Sequence, residues 1–171
     1  MKIFVMGLPG SGKTTLAKAL AGAMSLPFVD LDERIENETG KSVQAIFRDS
    51  GEPGFRKLEA RILRELCAAE GEAVIATGGG TPCYSDNIMV INHAGISVFL
   101  DVPAKVIADR IKKTDMATRP LFANVMPENL KDAIEFLRSQ RLPFYQQAHA
   151  TIGPDMSVDD VVTVIRMAAQ R

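Results

Sequence analysis

Eight residues near the amino terminus have the composition and spacing of a phosphate-binding loop. The run Gly7-Leu8-Pro9-Gly10-Ser11-Gly12-Lys13-Thr14 fits the pattern G-x-x-x-x-G-K-[ST], whose backbone N–H groups surround an anion at the positive end of a helix. Lys13 can reach the outer phosphates of a nucleoside triphosphate, and the Thr14 hydroxyl can bind a bridging Mg²⁺ ion. We therefore predict nucleotide binding by six residues of this region: Gly10, Ser11, Gly12, Lys13, Thr14 and Thr15.

Two carboxylates, Asp30 and Asp32, stand at the end of the second predicted strand, at the edge of an open α/β sheet where ligands bind. Side chains alternate along a strand, so both are expected on the same side of the sheet. One carboxylate can hold a magnesium-bound water, while the other aligns an attacking hydroxyl group or accepts its proton. An alternative is that Asp32 is the N-cap of a helix that begins at Glu33.

The elements that must position these groups alternate along the chain. Apolar, β-branched runs predict five strands: Ile3–Met6, Phe28–Leu31, Ala73–Thr77, Ile96–Leu100 and Ala150–Gly153. Helical patterns lie between and after them, and the clearest begin after Gly12, at Pro53, at Pro127 and at Ser157. This alternation predicts a parallel sheet with helices on both faces. Residues 112–126 have no clear periodicity, so we predict a mobile loop or lid there.

Length, charge and cysteine content limit the function further. A chain of 171 residues suits one domain, residues 1–171. The 20 basic and 21 acidic residues contain no run of like charge, so we expect no nucleic-acid partner. The first apolar stretch ends at Gly7, which is too short for a signal peptide or membrane span, so we expect a cytoplasmic protein without membrane contact. Cys67 and Cys83 are expected to be free thiols.

A phosphate-binding loop does not by itself identify a kinase, because GTPases, motor ATPases and binding modules also use it. The sequence has neither an Asn-Lys-x-Asp run nor an Asp-x-x-Gly segment after a strand. These absences argue against a GTPase of the Ras type.

Six motifs in order and register resemble those of the shikimate kinase family, and together they cover nearly the full chain. Besides the phosphate-binding loop they are Asp30-x-Asp32, Gly54-Phe55-Arg56-x-x-Glu59, Gly78-Gly79-Gly80, Arg119-Pro120-Leu121 and Arg141-x-Pro143-x-Tyr145. The resemblance implies a three-layer α/β/α fold, a five-stranded parallel sheet in the order 2-3-1-4-5, a substrate-binding segment at about residues 32–60 and a mobile lid at about 112–126. It implies transfer of a phosphoryl group from Mg-ATP to shikimate.

The resemblance also implies roles for single residues. Shikimate would be held by Asp32, Arg56, Gly78, Gly79, Gly80 and Arg141, with its carboxylate between the two arginines. Helical spacing adds Glu59 to the predicted substrate site, because it lies three positions after Arg56 on the same helix face and can orient Arg56 or accept from a hydroxyl group. Lys13 and Arg119 would stabilise the transferring phosphoryl group, and Arg110 would stack on adenine. Thr14 and Asp30 would hold Mg²⁺, and Asp32 would align or deprotonate the hydroxyl. We expect a monomer.

Two other functions remain open from the residues alone. Another small-metabolite kinase, such as a gluconate kinase, could have the same fold, but it would lack Arg56 and Arg141 in this register. A non-catalytic nucleotide-binding regulator would keep Lys13 while losing Asp32 or Arg119, and both are present.

Overall fold

The computed structural model of the chain describes residues 1–113, 121–122 and 124–170. Its strands are β1 (Lys2–Met6), β2 (Phe28–Asp30), β3 (Ala73–Ala76), β4 (Gly95–Leu100) and β5 (Ala150–Ile152). Its α-helices are α1 (Lys13–Met24), α2 (Leu31–Thr39), α3 (Val43–Ala68), α4 (Asn87–Ala94), α5 (Ala104–Lys112), α6 (Leu130–Tyr145) and α7 (Val158–Ala168).

The five strands form one parallel sheet in the order β2-β3-β1-β4-β5. The predicted fold class is therefore confirmed. All strand ends point the same way in a parallel sheet, so the segments that follow β2, β3 and β1 lie side by side at its carboxyl edge. The phosphate-binding loop follows β1, the central strand of the five.

Burial follows the apolar runs of the sequence. Most of β1 is buried, from Ile3 to Met6, because helices cover both faces of the sheet. Helix α1 contributes Ala17, Leu20 and Ala21 to the core, while α7 contributes Val161, Val162 and Ile165. The predicted cap of the last helix is present, because the Ser157 hydroxyl accepts a hydrogen bond from the backbone N–H of Asp160 at 3.1 Å. In the described residues no helix is long and apolar enough to cross a bilayer.

The placement of Asp30 and Asp32 on one strand is wrong. Strand β2 ends at Asp30, and Asp32 lies in the first turn of α2. The helix cap is Asp30 and not Asp32, because an Asp30 carboxylate oxygen accepts from the backbone N–H groups of Asp32 at 3.0 Å and Glu33 at 3.4 Å. The local pattern was too short to separate a strand end from a helix start.

Two helical features differ from the sequence-based expectation. Helix α3 begins ten residues before Pro53, and its two halves meet at a kink where Gly51 has φ 67° and ψ 177°. Helix α4 has no counterpart in the prediction. About half of the predicted lid, residues 114–120 and 123, lies outside the described residues, and Arg119 is among the residues outside them.

Candidate active site

A cavity of about 1020 Å³ opens at the carboxyl edge of the sheet. Its walls come from the phosphate-binding loop, α2, α3, the segment after β3, α5 and α6. Thirteen of the predicted site residues line it: Gly10, Gly12, Lys13, Thr14, Thr15, Asp32, Arg56, Glu59, Gly78, Gly79, Gly80, Arg110 and Arg141. Residues that are distant in sequence therefore meet at one place.

The phosphate-binding loop has the left-handed backbone that its glycines permit. Gly12 is the N-cap of α1 with φ 94°, and Gly10 has φ 80°, values at which a side chain is unfavourable. The loop also depends on α5, because Arg110 Nη1 donates to the backbone carbonyl of Ser11 at 2.7 Å. Ser11 is 2% exposed, and its Oγ has no hydrogen-bond partner among the described residues. The turn leaves backbone N–H groups available for an anion.

Thr14 and Asp30 form a pair of hard oxygen donors beside this loop. The Thr14 hydroxyl donates to Asp30 Oδ2 at 3.2 Å. Among the described residues no cluster of three or more His, Cys, Asp or Glu side chains could hold a metal ion. Mg²⁺ commonly takes only one or two protein oxygens and completes its shell with water and substrate phosphates, so this pair fits that ion.

Asp32 differs from Asp30 in its electrostatic surroundings. Burial and the nearby Asp30 carboxylate raise the pKa of Asp32 to about 6, against the lowering effect of Lys13, and Glu59 adds to the increase. An ordinary aspartate would be fully ionised far below this pH. A carboxylate with a pKa close to neutrality can accept a proton at physiological pH.

Arg56 and Glu59 form a largely buried ion pair on α3. Arg56 Nη1 donates to Glu59 Oε2 at 2.8 Å, and the two side chains are 12% and 1% exposed. The other Glu59 oxygen accepts from the Thr81 hydroxyl at 2.6 Å. Glu59 is therefore fixed on both oxygens, and it fixes the guanidinium group in turn.

Side chains of other elements approach the segment Gly78–Gly80 closely. A Cβ on Gly80 would lie 2.5 Å from Arg56 Nη2, and one on Gly79 would lie 3.0 Å from Arg141 Nη1. One on Gly78 would lie 3.1 Å from Asp32 Oδ1. Three side chains of the predicted site, from α2, α3 and α6, therefore converge on three consecutive residues.

Arg141 is a buried cation with unused hydrogen-bonding capacity. It is 7% exposed, and its Nη1 has no hydrogen-bond partner among the described residues. Its helix is fixed next to the glycine segment because the Tyr145 hydroxyl donates to the carbonyl of Gly79 at 2.5 Å. An unpaired buried guanidinium donor is costly, so a site of this kind is suited to an anionic ligand.

A protein-family comparison matches almost the whole chain. The family model described as shikimate kinase aligns with residues 9–168. The chain belongs to the shikimate kinase family. Membership makes it an ATP-dependent kinase, and the sequence-based prediction of this family and enzyme class is confirmed.

Relatives named shikimate kinase are similar over most of their length. The protein from Phocaeicola vulgatus is 46% identical over 147 residues, which are 86% of this chain and 83% of the relative. The protein from Bacteroides fragilis is 42% identical over 149 residues, 87% of this chain and 82% of the relative. The protein from Clostridium botulinum is 34% identical over 164 residues, 96% of this chain and 94% of the relative.

Solved structures of the shikimate kinase family share the fold. The enzyme from Bacteroides thetaiotaomicron superposes with a TM-score of 0.84 at 36% identity, covering 99% of this chain and 97% of that one. The enzyme from Acinetobacter baumannii, solved in complex with shikimate, gives 0.81 at 32% identity, covering 99% and 89%. The comparisons therefore do not favour the gluconate kinase or the non-catalytic regulator.

Several lining residues of this family member were missed from the sequence. Val43, Gln44, Phe47 and Glu52 line the cavity because they lie on both sides of the α3 kink. The clearest available signal was Gly51-Glu52-Pro53, in which a glycine and a proline flank an acidic residue two positions before Gly54, where the Arg56 motif begins. Leu121, the last residue of the Arg119-Pro120-Leu121 motif, also lines the cavity.

Proposed function

We propose that the chain transfers the γ-phosphoryl group of ATP to the 3-hydroxyl of shikimate, giving shikimate 3-phosphate and ADP on the route to chorismate. The observation that carries this proposal is the convergence of Arg56 and Arg141 on Gly79 and Gly80, in the same cavity as the phosphate-binding loop. The relative from Acinetobacter baumannii that was solved with shikimate supports it.

The two guanidinium groups would bind the carboxylate of shikimate. Gly79 and Gly80 are neighbours, with Cα atoms about 3.8 Å apart, so both arginines reach the same short stretch of backbone. A carboxylate placed there would accept from Arg56 and from the unpartnered Nη1 of Arg141, and such charge-assisted bonds are short and directional. Glu59 would hold Arg56 in place.

Asp32 would act on the attacking hydroxyl. Its raised pKa and its position near Gly78, between the glycine segment and Lys13, suit a group that aligns the hydroxyl and accepts its proton during transfer. Asp30 has a different role, because one of its oxygens caps α2 and the other faces Thr14.

The phosphate end of the site would be built from the loop and from two further arginines. Lys13 and Arg119 would neutralise charge on the transferring group, with Arg119 outside the described residues. Arg110 lines the cavity and would stack on adenine while its Nη1 supports the loop. Thr14 and Asp30 would hold Mg²⁺, which would neutralise part of the negative charge of the ATP phosphates.

The acceptor is tested by an ADP-release assay with shikimate, quinate, gluconate and no acceptor in parallel. We expect ADP release to depend on shikimate, with Lys13→Ala as the inactive blank because it lacks the phosphate-binding ammonium. Equal release with gluconate, or without any acceptor, would contradict the proposed substrate.

A further inference from the structure

The guanidinium group of Arg56 is enclosed by three aromatic rings. Its Cζ lies 4.2 Å from the ring centroid of Tyr84, 5.1 Å from that of Phe55 and 5.9 Å from that of Phe47. All three distances are within the range of a cation–π contact, and Tyr84 is the nearest of the three rings. Phe47 and Phe55 line the cavity. Tyr84 is not among the described residues that line it. Tyr84 therefore contacts the guanidinium group from outside the cavity.

The edge of the same guanidinium group is occupied by carboxylates. Nη1 donates to Glu59, while Nε and Nη2 both donate to Glu52 Oε1 at 3.3 Å. Hydrogen bonds use the plane of the guanidinium group and an aromatic ring uses its face, so these contacts do not compete. Glu52 is 51% exposed and its bonds to Arg56 are long, so an incoming carboxylate can replace it while the bond between Arg56 and Glu59 stays in place.

The backbone after Tyr84 is held in an unusual turn. Ser85 and Asp86 have φ values of 53° and 56°, and two consecutive left-handed residues with side chains are unfavourable unless the surroundings impose them. Arg64, on the same helix as Arg56, donates from Nη2 to the carbonyl of Ser85 at 2.8 Å. Asn87 is buried and donates to the carbonyl of Thr81 at 2.9 Å. The turn is therefore anchored to α3, two helical turns from the arginine that Tyr84 covers.

The phenol is suited to this contact because it stays uncharged. Burial, and after it the neighbouring Glu52 carboxylate, raises the pKa of Tyr84 above its usual value of 10.0. A neutral ring keeps the negative face that attracts a cation.

We propose that Tyr84 is a positioning residue for acceptor binding: it fixes the plane of the Arg56 guanidinium so that Nε and Nη2 are directed at the carboxylate of the acceptor. This inference rests on the proposed contact between Arg56 and that carboxylate. Tyr84 acts only through Arg56, so it contributes to acceptor affinity and not to phosphoryl transfer itself.

The test compares Tyr84→Leu with Tyr84→Phe in steady-state kinetics. Leucine removes the π face, so we expect the KM for shikimate to rise about fivefold while kcat and the KM for ATP stay within about twofold. Phenylalanine keeps the face, so its KM should match that of the unmodified chain. Tyr84 is 37% exposed, and an unchanged thermal unfolding midpoint would show that Tyr84→Leu still folds. An unchanged KM in Tyr84→Leu, or an equal rise in both variants, would overturn the inference.

A second pair of variants separates this inference from the proposed function. Arg56→Gln removes the cation, so Tyr84→Leu should add nothing to the shikimate KM on that background. The same fivefold rise there would mean that Tyr84 acts through another group, and the inference would fail while the Arg56 contact survived. If Arg56→Gln alone leaves the KM unchanged, the carboxylate contact itself is wrong, and the role of Tyr84 falls with it.

Discussion

At the scale of single residues, Asp30 and Asp32 show how the surroundings give two identical side chains different chemical properties. Asp30 accepts from backbone N–H groups and from Thr14, so its charge is compensated locally. Asp32 lies two residues later, is surrounded by other carboxylates, and has a pKa of about 6. The protein therefore maintains a poorly stabilised charge at the position where a proton acceptor is proposed.

Asp32→Asn should lower kcat strongly and remove an acidic limb from the pH profile. In the unmodified chain, kcat/KM for shikimate should fall about tenfold per pH unit below pH about 6, because protonated Asp32 cannot accept a proton. The measurement is kcat/KM between pH 5 and 8 for both proteins, with the exposed Glu33→Gln as control. If the fall of kcat/KM at low pH persists in Asp32→Asn, a group other than Asp32 causes it.

The same substitution should stabilise the fold. Raising a carboxyl pKa from 3.8 to about 6 costs stability above pH 6, up to about 3 kcal/mol. This cost disappears as the pH falls from 6 towards 4, because the folded state then binds a proton that the unfolded chain does not. Urea unfolding should therefore show a higher free energy of unfolding for Asp32→Asn at pH 8, and a smaller difference at pH 4.5. An equal or lower value at pH 8 would contradict the unfavourable charge.

At the scale of elements, the segment between β3 and α4 joins the parts of the site. Gly78–Gly80 contacts α2 through Asp32, α3 through Arg56 and α6 through Arg141 and Tyr145. In the residues that follow, the Thr81 hydroxyl donates a hydrogen bond to Glu59, and the Tyr84 ring contacts the Arg56 guanidinium group. One connection thus contacts all three helices and joins α6 to the pair formed by α2 and α3.

Gly80→Ala should weaken shikimate binding more than it affects folding. Gly80 has φ −91°, which alanine adopts without strain. The new Cβ would lie only 2.5 Å from Arg56 Nη2 and would therefore push the guanidinium group away. We expect the shikimate KM to rise at least about tenfold, as for a displaced charge-assisted bond, with the ATP KM unchanged. Gly22→Ala is the matched control, because its Cβ meets nothing within 4 Å in α1 and should add up to about 1 kcal/mol of stability. Equal kinetics for the two variants would contradict the close approach at Gly80.

At the scale of the whole molecule, strand order decides which loops share the cavity. β2, β3 and β1 are neighbours in the sheet although β3 comes last of the three in sequence. Their carboxyl ends therefore place Asp30, Gly78 and the phosphate-binding loop side by side. The three layers share one hydrophobic core. It contains buried residues of β1, β3, β4 and β5 and of the helices, and Phe28 and Val29 of β2 pack against it.

The core cluster of the described residues predicts one cooperative unfolding transition, and the sequence-based expectation of one domain predicts the same. The chain has no tryptophan and two tyrosines, of which Tyr145 is buried and stacked on Phe99 with centroids 4.8 Å apart. Far-UV dichroism reports helices, while near-UV dichroism reports Tyr145, so the two urea curves should coincide. Adding Mg-ADP should shift both to higher urea by the same amount. Separated curves would indicate more than one folding unit.

The sequence by itself determined the phosphate-binding loop, the five strands and the family, because these depend on the order of residues in short motifs and on apolar periodicity. The predicted phosphate contacts of Gly7 to Thr14 depend on their own backbone, and a buried strand such as β1 is recognisable from its own residues. Tertiary structure decided which aspartate caps α2, what raises the pKa of Asp32, and that Tyr84 covers Arg56 from 28 positions away. Burial, Coulombic neighbours and ring contacts are properties of residues brought together by the fold, and no local pattern contains them.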